Sequence, residues 1–290
     1  MSKNKNVAKL SFIGAMVIFG TIGIFRRYIS LPSSVLALAR GLIGTVFLIL
    51  FVKATGKRTD KDAVRKNLAL LIISGALIGF NWILLFESYN YTTVSIATLC
   101  YYMAPVFLIL ASPIVLKDRL TVNKIIAVLV ALIGMALVSG VFKGGGATDN
   151  RKGILLGLGA AVLYATVILM NKKMGEIDAY SKTIVQLGAS AVCLLPYVLI
   201  TERMTDISIG LGGLGLVLVV GIIHTGLAYA LYFGSMKGLN SQTIAIFSYI
   251  DPVVAIILSA VILHEAMGFA EILGAVLILG AAIYSEYTEG

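Results

Sequence analysis

Ten long apolar runs, separated by short polar segments, constrain this chain more than any other feature. A helix needs roughly 20 mostly apolar residues to cross a bilayer, and each run is close to that length. We therefore predict an all-α integral membrane protein with ten transmembrane helices. The predicted spans are residues 8–28, 33–54, 68–88, 92–116, 122–142, 153–172, 181–201, 211–236, 240–263 and 268–285.

The composition supports a surface that is solvated by lipid. Of the 290 residues, 59% are hydrophobic and only 13% are charged, which is too few charges to coat a soluble domain. The net charge of +9 does not indicate nucleic-acid binding, because the basic residues flank the apolar runs. The first run follows a basic N-terminus, as a signal peptide would, but no clear cleavage site follows it. We interpret it as a retained transmembrane helix.

Basic residues are distributed unequally between the two sets of loops. With a cytoplasmic N-terminus, sixteen Lys and Arg residues fall inside and six outside. The positive-inside rule therefore predicts a multi-pass protein of the cell membrane with both termini cytoplasmic. The inside set is Lys3, Lys5, Lys9, Lys53, Lys57, Arg58, Lys61, Arg65, Lys66, Lys117, Arg119, Lys124, Lys172, Lys173, Lys182 and Lys237.

The second half of the chain repeats the first at a shift of 147 residues. Gly79 aligns with Gly226, and the Tyr-x-x-Pro-Val of residues 102–106 aligns with that of residues 249–253. We expect one repeat in residues 1–145 and another in residues 150–290, each with five spans. Because five is odd, the second repeat is inverted in the membrane, a recurrent design in secondary transporters.

These motifs resemble the drug/metabolite transporter superfamily, in particular its EamA-type ten-helix branch. The resemblance covers nearly the whole chain. It rests on Asn81-Trp82, on the Tyr-x-x-Pro-Val pair, and on the acidic residues that close spans four and nine, Asp118 and Glu265. Asp118, His264 and Asp251 depart mildly from the usual motifs. The resemblance implies a transporter of amino acids or similar metabolites, often an exporter.

Asp251 is the sharpest candidate for the chemistry of transport. It lies near the bilayer midplane, where a charge costs ~2.5–3.5 kcal/mol. A cation, an amine-bearing substrate or a coupling proton would explain it, and so would a structural carboxylate that caps the break before Pro252. Pro105 and Pro252 stand at equivalent repeat positions and indicate helix breaks that line a central cavity. Kinks tolerated for packing are the alternative.

Arg40 lies about two turns inside span two and stays charged. It needs a carboxylate, carbonyls or an anionic substrate, and we expect an ion pair with Glu87. Asn81 is a further pathway candidate, while Glu87 could instead reach the outer interface.

His224 lies in the middle of span eight and could relay protons or act as a core donor. Trp82, Tyr102 and Tyr249 lie deep, where they either line a substrate cavity or simply pack.

The glycine pairs Gly75-x-x-x-Gly79 and Gly153-x-x-x-Gly157 allow close helix contact. That contact lies either within the bundle or in a homodimer. Cys100 and Cys193 are isolated in apolar runs, so we expect no disulfide, no metal and no cofactor.

The function that these features favour is secondary active transport of a small polar metabolite. An amino acid or a related amine-containing compound, exported by proton coupling or exchange, fits best. An importer of a cationic or zwitterionic metabolite and a passive channel or facilitator are the alternatives. We expect no enzyme, because neither His-Glu-x-x-His nor Gly-x-Ser-x-Gly occurs, and no ATP-driven pump, because no P-loop occurs.

Overall fold

The computed structural model describes residues 2–57, 59–117, 121–138, 148–203, 207–236, 239, 247–265 and 267–289. Every regular element in these residues is a helix. The helices are α1 (Ser2–Arg27), α2 (Ser33–Ala54), α3 (Lys61–Lys66), α4 (Leu68–Tyr91), α5 (Val94–Tyr101), α6 (Ala104–Val115), α7 (Val122–Val138), α8 (Thr148–Lys173), α9 (Ala179–Thr201), α10 (Leu211–Val219), α11 (Ala228–Met236), α12 (Ile250–Ile262) and α13 (Phe269–Glu289). A π-helical segment, Val220–Leu227, joins α10 to α11.

Seven helical stretches are long and apolar enough to cross a membrane, and three apolar helices are shorter. Together they correspond to the ten predicted runs. A helix satisfies its own backbone hydrogen bonds, which is what a lipid environment requires. The end of span five and the beginning of span nine lie outside the described residues. The prediction of an all-α membrane protein is confirmed.

Polar residues in the connections fix where several helices begin. The Thr93 side chain accepts a hydrogen bond from the backbone N–H of Ile96 at the start of α5. Asp178 accepts one from Ser181 at the start of α9. Thr and Asp are favoured at this position because they satisfy N–H groups that have no partner within the helix. The polar separators therefore also determine where α5 and α9 begin.

Spans four and nine are not continuous kinked helices. The helix breaks at Tyr102-Met103, and Pro105 is the second residue of α6. Pro252 is the third residue of α12, which follows Tyr249. In the first helical turn the missing N–H of proline would have no partner in any case. Each proline thus lies in the first turn of the helix that follows a break.

The helices pack in pairs that repeat between the two halves. α1 contacts α11 and α12 in the way that α8 contacts α4 and the α5–α6 pair. α2 packs on the π-helical segment as α9 packs on α4. Two pairs match themselves: α2 with α9, and α7 with α13. This pattern is what two inverted five-helix repeats produce.

One backbone detail repeats at the same 147-residue shift. Lys117 and His264 are the two non-glycine residues in the described chain with positive φ, at 61° and 54°. Both follow the last residue of a span, after α6 and α12. A left-handed residue is a common way to end a helix, although glycine usually provides it. Asp118, the next residue of the first motif, lies outside the described residues.

The glycine pairs make contacts within the bundle. Gly75 packs against the backbone of Gln186, and a Cβ at Gly79 would lie 2.7 Å from the Ser190 hydroxyl of α9. A Cβ at Gly153 would lie 2.8 Å from Thr92, and one at Gly157 2.8 Å from Cys100. These pairs therefore serve contacts of α4 with α9 and of α8 with α5.

Candidate functional site

The breaks in the two repeats meet at Asp251. The hydroxyl of Tyr102, between α5 and α6, donates a 2.8 Å hydrogen bond to Oδ2 of Asp251. The rings of Tyr102 and Tyr249 lie 6.3 Å apart. α1 also approaches closely, because a Cβ at Gly20 would stand 2.6 Å from the backbone oxygen of Asp251. Three spans thus meet at Asp251.

Asp251 has no basic partner in the described part of the chain. Asp251 forms no ion pair with a described residue, and the Tyr102 bond is the side-chain hydrogen bond that Asp251 receives. A carboxylate in a low-dielectric interior is stable only with compensating partners. This carboxyl group is therefore suited to binding a proton or a cationic group.

Arg40 occupies a different part of the interior and is 4% exposed. Its guanidinium carbon lies 4.0 Å from the ring centre of Trp82 and 5.4 Å from that of Phe86. These two rings are four residues apart on α4, so they lie on one face. The Arg40 Nε donates a 3.1 Å hydrogen bond to the Thr225 hydroxyl. The cation is thus held by aromatic faces and one hydroxyl.

The π-helical segment places two successive polar side chains on two different helices. Thr225 reaches Arg40 of α2, and His224 Nε2 lies 2.8 Å from the Thr21 hydroxyl of α1. The Thr21 hydroxyl also lies 2.7 Å from the carbonyl of Ile18, and His224 Nδ1 lies 3.5 Å from the carbonyl of Val219. π-helical turns are frequent at functional sites. Nothing in the sequence reasoning identified this segment.

Tyrosine side chains lie near both Arg40 and Asp251. Tyr89 is close enough to interact electrostatically with both of them. Tyr101 interacts with Asp251, and its ring lies 5.3 Å from that of Tyr164. Tyr164 is 40% exposed. Arg40 and Asp251 share these tyrosines as neighbours and form no ion pair with each other.

The expected ion pair between Arg40 and Glu87 is wrong. Glu87 accepts hydrogen bonds from Ser33, at 2.7 Å, and from Asn90, at 3.0 Å. Ser33 in turn accepts a bond from Arg26. Depth in the membrane can be inferred from position along a span, but the direction of a side chain around the helix cannot. Glu87 faces the end of α1, while Arg40 faces the aromatic side of α4.

Asn81 and its neighbour Trp82 point to different places. The Asn81 side chain donates to the carbonyl of Ala160 in α8 at 2.5 Å, which ties two spans together. Trp82, by contrast, covers Arg40. Tyr249 is buried beside Tyr102. The structure thus gathers Tyr102, Tyr249 and Asp251 in one group, and Arg40, Trp82 and His224 around α2, α4 and the π-helical segment.

A second cluster at one end of the bundle was missed by sequence reasoning. Glu265, just after α12, pairs with Arg27 at 2.5 Å and accepts a 2.8 Å bond from the backbone N–H of Val94. Ser259 donates to the same carboxylate, and Arg27 also donates to the carbonyl of Thr92. The ends of α1, α4, α5 and α12 are thereby fastened together. The acidic motif had marked Glu265, but no signal in the sequence marked its partner.

Within the described residues no three His, Cys, Asp or Glu side chains lie close enough to hold a metal ion. The buried polar side chains there are instead the guanidiniums of Arg26 and Arg40, the amides of Asn81 and Gln186, the imidazole of His224 and many hydroxyls, and the half-buried carboxyl group of Asp251 adds to them. This set can bind a small molecule with complementary charges and can exchange protons.

A family model matches both halves of the chain. The model of the EamA-like transporter family matches residues 7–140 and 151–285. The uncharacterized transporter YxxF of Bacillus subtilis (strain 168) is 32% identical over 281 residues, which are 96% of this chain and 88% of that protein. Protein PecM of Dickeya dadantii (strain 3937) is 25% identical over 217 residues, or 73% of this chain and 72% of that protein.

A protein of known crystal structure shares the fold. Its sequence is 21% identical, the TM-score is 0.67, and the superposition covers 96% of each chain. With the paired family matches and the ten apolar helices, these similarities identify a multi-pass membrane transporter. The chain belongs to the EamA-like transporter family.

Proposed function

We propose that this transporter is a secondary carrier that exports an amino acid or a related amine-bearing metabolite, driven by proton coupling or by exchange. It lies in the cell membrane with both termini cytoplasmic. The end of the bundle that contains Lys57 then faces the cytoplasm, in accord with the excess of basic residues there. The end that contains Arg27 faces outward.

The observation that carries this proposal is the hydrogen bond between Tyr102 and Asp251. It joins the helix break of one repeat to the helix break of the other. Irregular backbone at membrane depth is tolerated where it lines a cavity or is covered by protein. In transporters built from inverted repeats, the binding site lies at the interface between the repeats, near the midplane.

A titratable group at this interface can couple the binding of a proton or a cation to a change in how the two repeats pack. When Asp251 is ionised it attracts a proton or an ammonium group, because no basic side chain in the described chain neutralises it. When it is neutralised, the cost of keeping it away from water falls. Because each repeat contributes one side of the Tyr102 contact, a change of charge at Asp251 alters how the repeats fit together.

The test is transport by purified protein in proteoliposomes with an imposed pH gradient and a mixture of radiolabelled L-amino acids. Asp251→Asn keeps an acceptor for Tyr102 but removes the charge. We expect this variant to lose all flux that depends on the gradient. Glu176→Gln, which removes an exposed carboxylate at the Lys57 end, is the matched control and should transport as wild type does.

Three outcomes would contradict the proposal. Gradient-dependent flux in Asp251→Asn at the wild-type rate would remove Asp251 from coupling. Wild-type flux that only equilibrates the label, whatever the gradient, would make the protein a passive facilitator. Uptake that follows the inward proton gradient, with no exchange, would make it an importer.

A further inference from the structure

Arg40 presents a permanent positive charge that nothing in the described chain neutralises. The side chain is 4% exposed, and Tyr229, Tyr101 and Tyr89 lie near it. No carboxylate pairs with it among the described residues. Arginine stays protonated in proteins, and an ionised group inside the membrane generally faces a partner or a cavity. The guanidinium of Arg40 therefore lacks a negatively charged partner among the described residues.

The contacts of Arg40 leave one edge of the guanidinium unused. Nε donates to Thr225, and the rings of Trp82 and Phe86 lie against the guanidinium. The two terminal nitrogens carry four N–H donors, and none of them makes a hydrogen bond to a described residue. Two parallel donors in a rigid plane match the two oxygens of a carboxylate. The surrounding contacts fix the orientation of this plane.

We propose that Arg40 binds the carboxylate of the transported substrate and so restricts transport to amino acids over amines without a carboxylate. This inference rests on the function proposed above, since it assigns the second charged group of the same substrate. Arg40 comes from the first repeat and Asp251 from the second. The two form no ion pair with each other, and Tyr89 lies near both. A zwitterionic substrate would offer an ammonium group to Asp251 and a carboxylate to Arg40.

A purely structural Arg40 would need the same contacts, but its terminal nitrogens would also be bonded within the protein. Thr225 is itself fixed, because its hydroxyl donates to the carbonyl of Val220 within the π-helical segment. Gly44 packs directly against the Thr225 side chain, and Gly221 and Gly226 pack directly against Ile43 and Phe47. The π-helical segment is thus seated closely on α2. This support positions the guanidinium and leaves its terminal nitrogens unbonded.

Trp82 is the one tryptophan in the chain, and it lies 4.0 Å from the guanidinium of Arg40. Its fluorescence therefore reports on this site without a label. Purified protein in lipid nanodiscs would be titrated with each of the other nineteen L-amino acids, and binding would be read from Trp82 emission. The amino acid that binds best would then be compared with its C-terminal amide and with its decarboxylated amine.

Wild-type protein should bind the amino acid at least about tenfold more tightly than the amide or the amine, because both analogues leave the guanidinium edge unpaired. Arg40→Gln should remove this preference. Arg40→Lys should weaken it, since the charge remains and the planar pair of donors is lost. Lys182→Gln removes a half-buried cation from a different helix, α9, and should leave the preference unchanged.

The comparison of ligands needs no variant, so a folding defect in Arg40→Gln leaves the proposal testable. Equal binding of the amino acid and its amide by wild-type protein would overturn the proposal. A preference that survives in folded Arg40→Gln would also overturn it. If the proteoliposome assay shows transport of an amine that lacks a carboxylate, the role of Arg40 falls while the carrier function stands. If no amino acid or amine is bound or transported, both proposals fall together.

Discussion

Helices α6 and α12 occupy equivalent places in the two repeats, but the first turn of α12 contains an ionisable residue and that of α6 does not. Each follows a tyrosine, carries proline within its first three residues, and ends before a residue with positive φ. At the 147-residue shift, however, Asp251 of α12 aligns with Ala104 of α6. The backbone is symmetric at the breaks, whereas the chemistry is not.

The same division applies to α2 and α9. Arg40 aligns with Gln186 at a shift of 146 residues. Gln186 donates to Ser74 at 2.7 Å and to Asn171 at 2.8 Å, so its amide N–H groups bind within the protein. Arg40 instead keeps donors unbonded. The symmetric backbone suits a change between two similar states, and the unmatched charges suit the recognition of a substrate.

Moving the carboxylate to the first repeat should have the largest effect. Ala104 is 3% exposed and packs in a cluster with Cys100 and Met103. Ala104→Asp would bury a charge in that cluster without a partner, and we expect a loss of about 3 kcal/mol in stability. The apparent unfolding temperature, followed by size-exclusion chromatography after heating, measures this loss.

The reciprocal change should behave differently. Asp251→Ala removes a group that already lacks a basic partner, so the protein should unfold close to the wild-type temperature while losing coupled transport. Ala104→Ser is the control for size at the first break. An Ala104→Asp protein as stable as wild type would show that both breaks tolerate a carboxylate. It would contradict the expected difference between α6 and α12.

A smaller effect is expected at the end of the bundle, where Glu265 fastens α1, α5 and α12. Glu265→Gln weakens the contact with Arg27 and the bond to the N–H of Val94. Because these side chains are partly exposed, we expect a loss of about 1–2 kcal/mol. Hydrogen exchange of a peptide that covers α5 should then accelerate by about tenfold at its first residues.

Glu202→Gln provides a control at the same end of the bundle. Glu202 accepts a bond from Ser34, which joins α9 to α2 and leaves α5 untouched. This variant should not change exchange at Val94. Acceleration of equal size in both variants would mean that the charge of this end, rather than the Glu265 contacts, holds the helices together.

Much of the fold follows from patterns that depend on distance along the chain. The length of apolar runs predicts membrane spans, and the 147-residue shift places the breaks at Tyr102 and Tyr249 in equivalent positions. Asp251 and Tyr102 were both chosen from the sequence, the first for its cost in lipid and the second for its nearness to a proline. The structure brings them into contact.

Contacts between distant residues could not be predicted, because they depend on how helices rotate about their axes. Arg40 and Glu87 have similar depths, yet they face different neighbours. Arg27 and Glu265 are 238 residues apart in the chain, and neither stands out as one half of a pair. In the π-helical segment a backbone N–H bonds to the carbonyl five residues earlier instead of four. Nothing in the composition of Val220–Leu227 predicts this change.

The smallest expected effect concerns the symmetric backbone itself. Lys117 and His264 hold φ values of 61° and 54°, where a side chain strains the backbone and glycine does not. We expect Lys117→Gly and His264→Gly each to raise stability by about 0.5–1 kcal/mol, because the relief of strain exceeds the added freedom of the unfolded chain. Leu116→Gly, one residue earlier at φ −108°, should instead destabilise the protein. Unfolding temperatures that rise for one glycine variant and fall for the other would show that the two span ends are not equivalent.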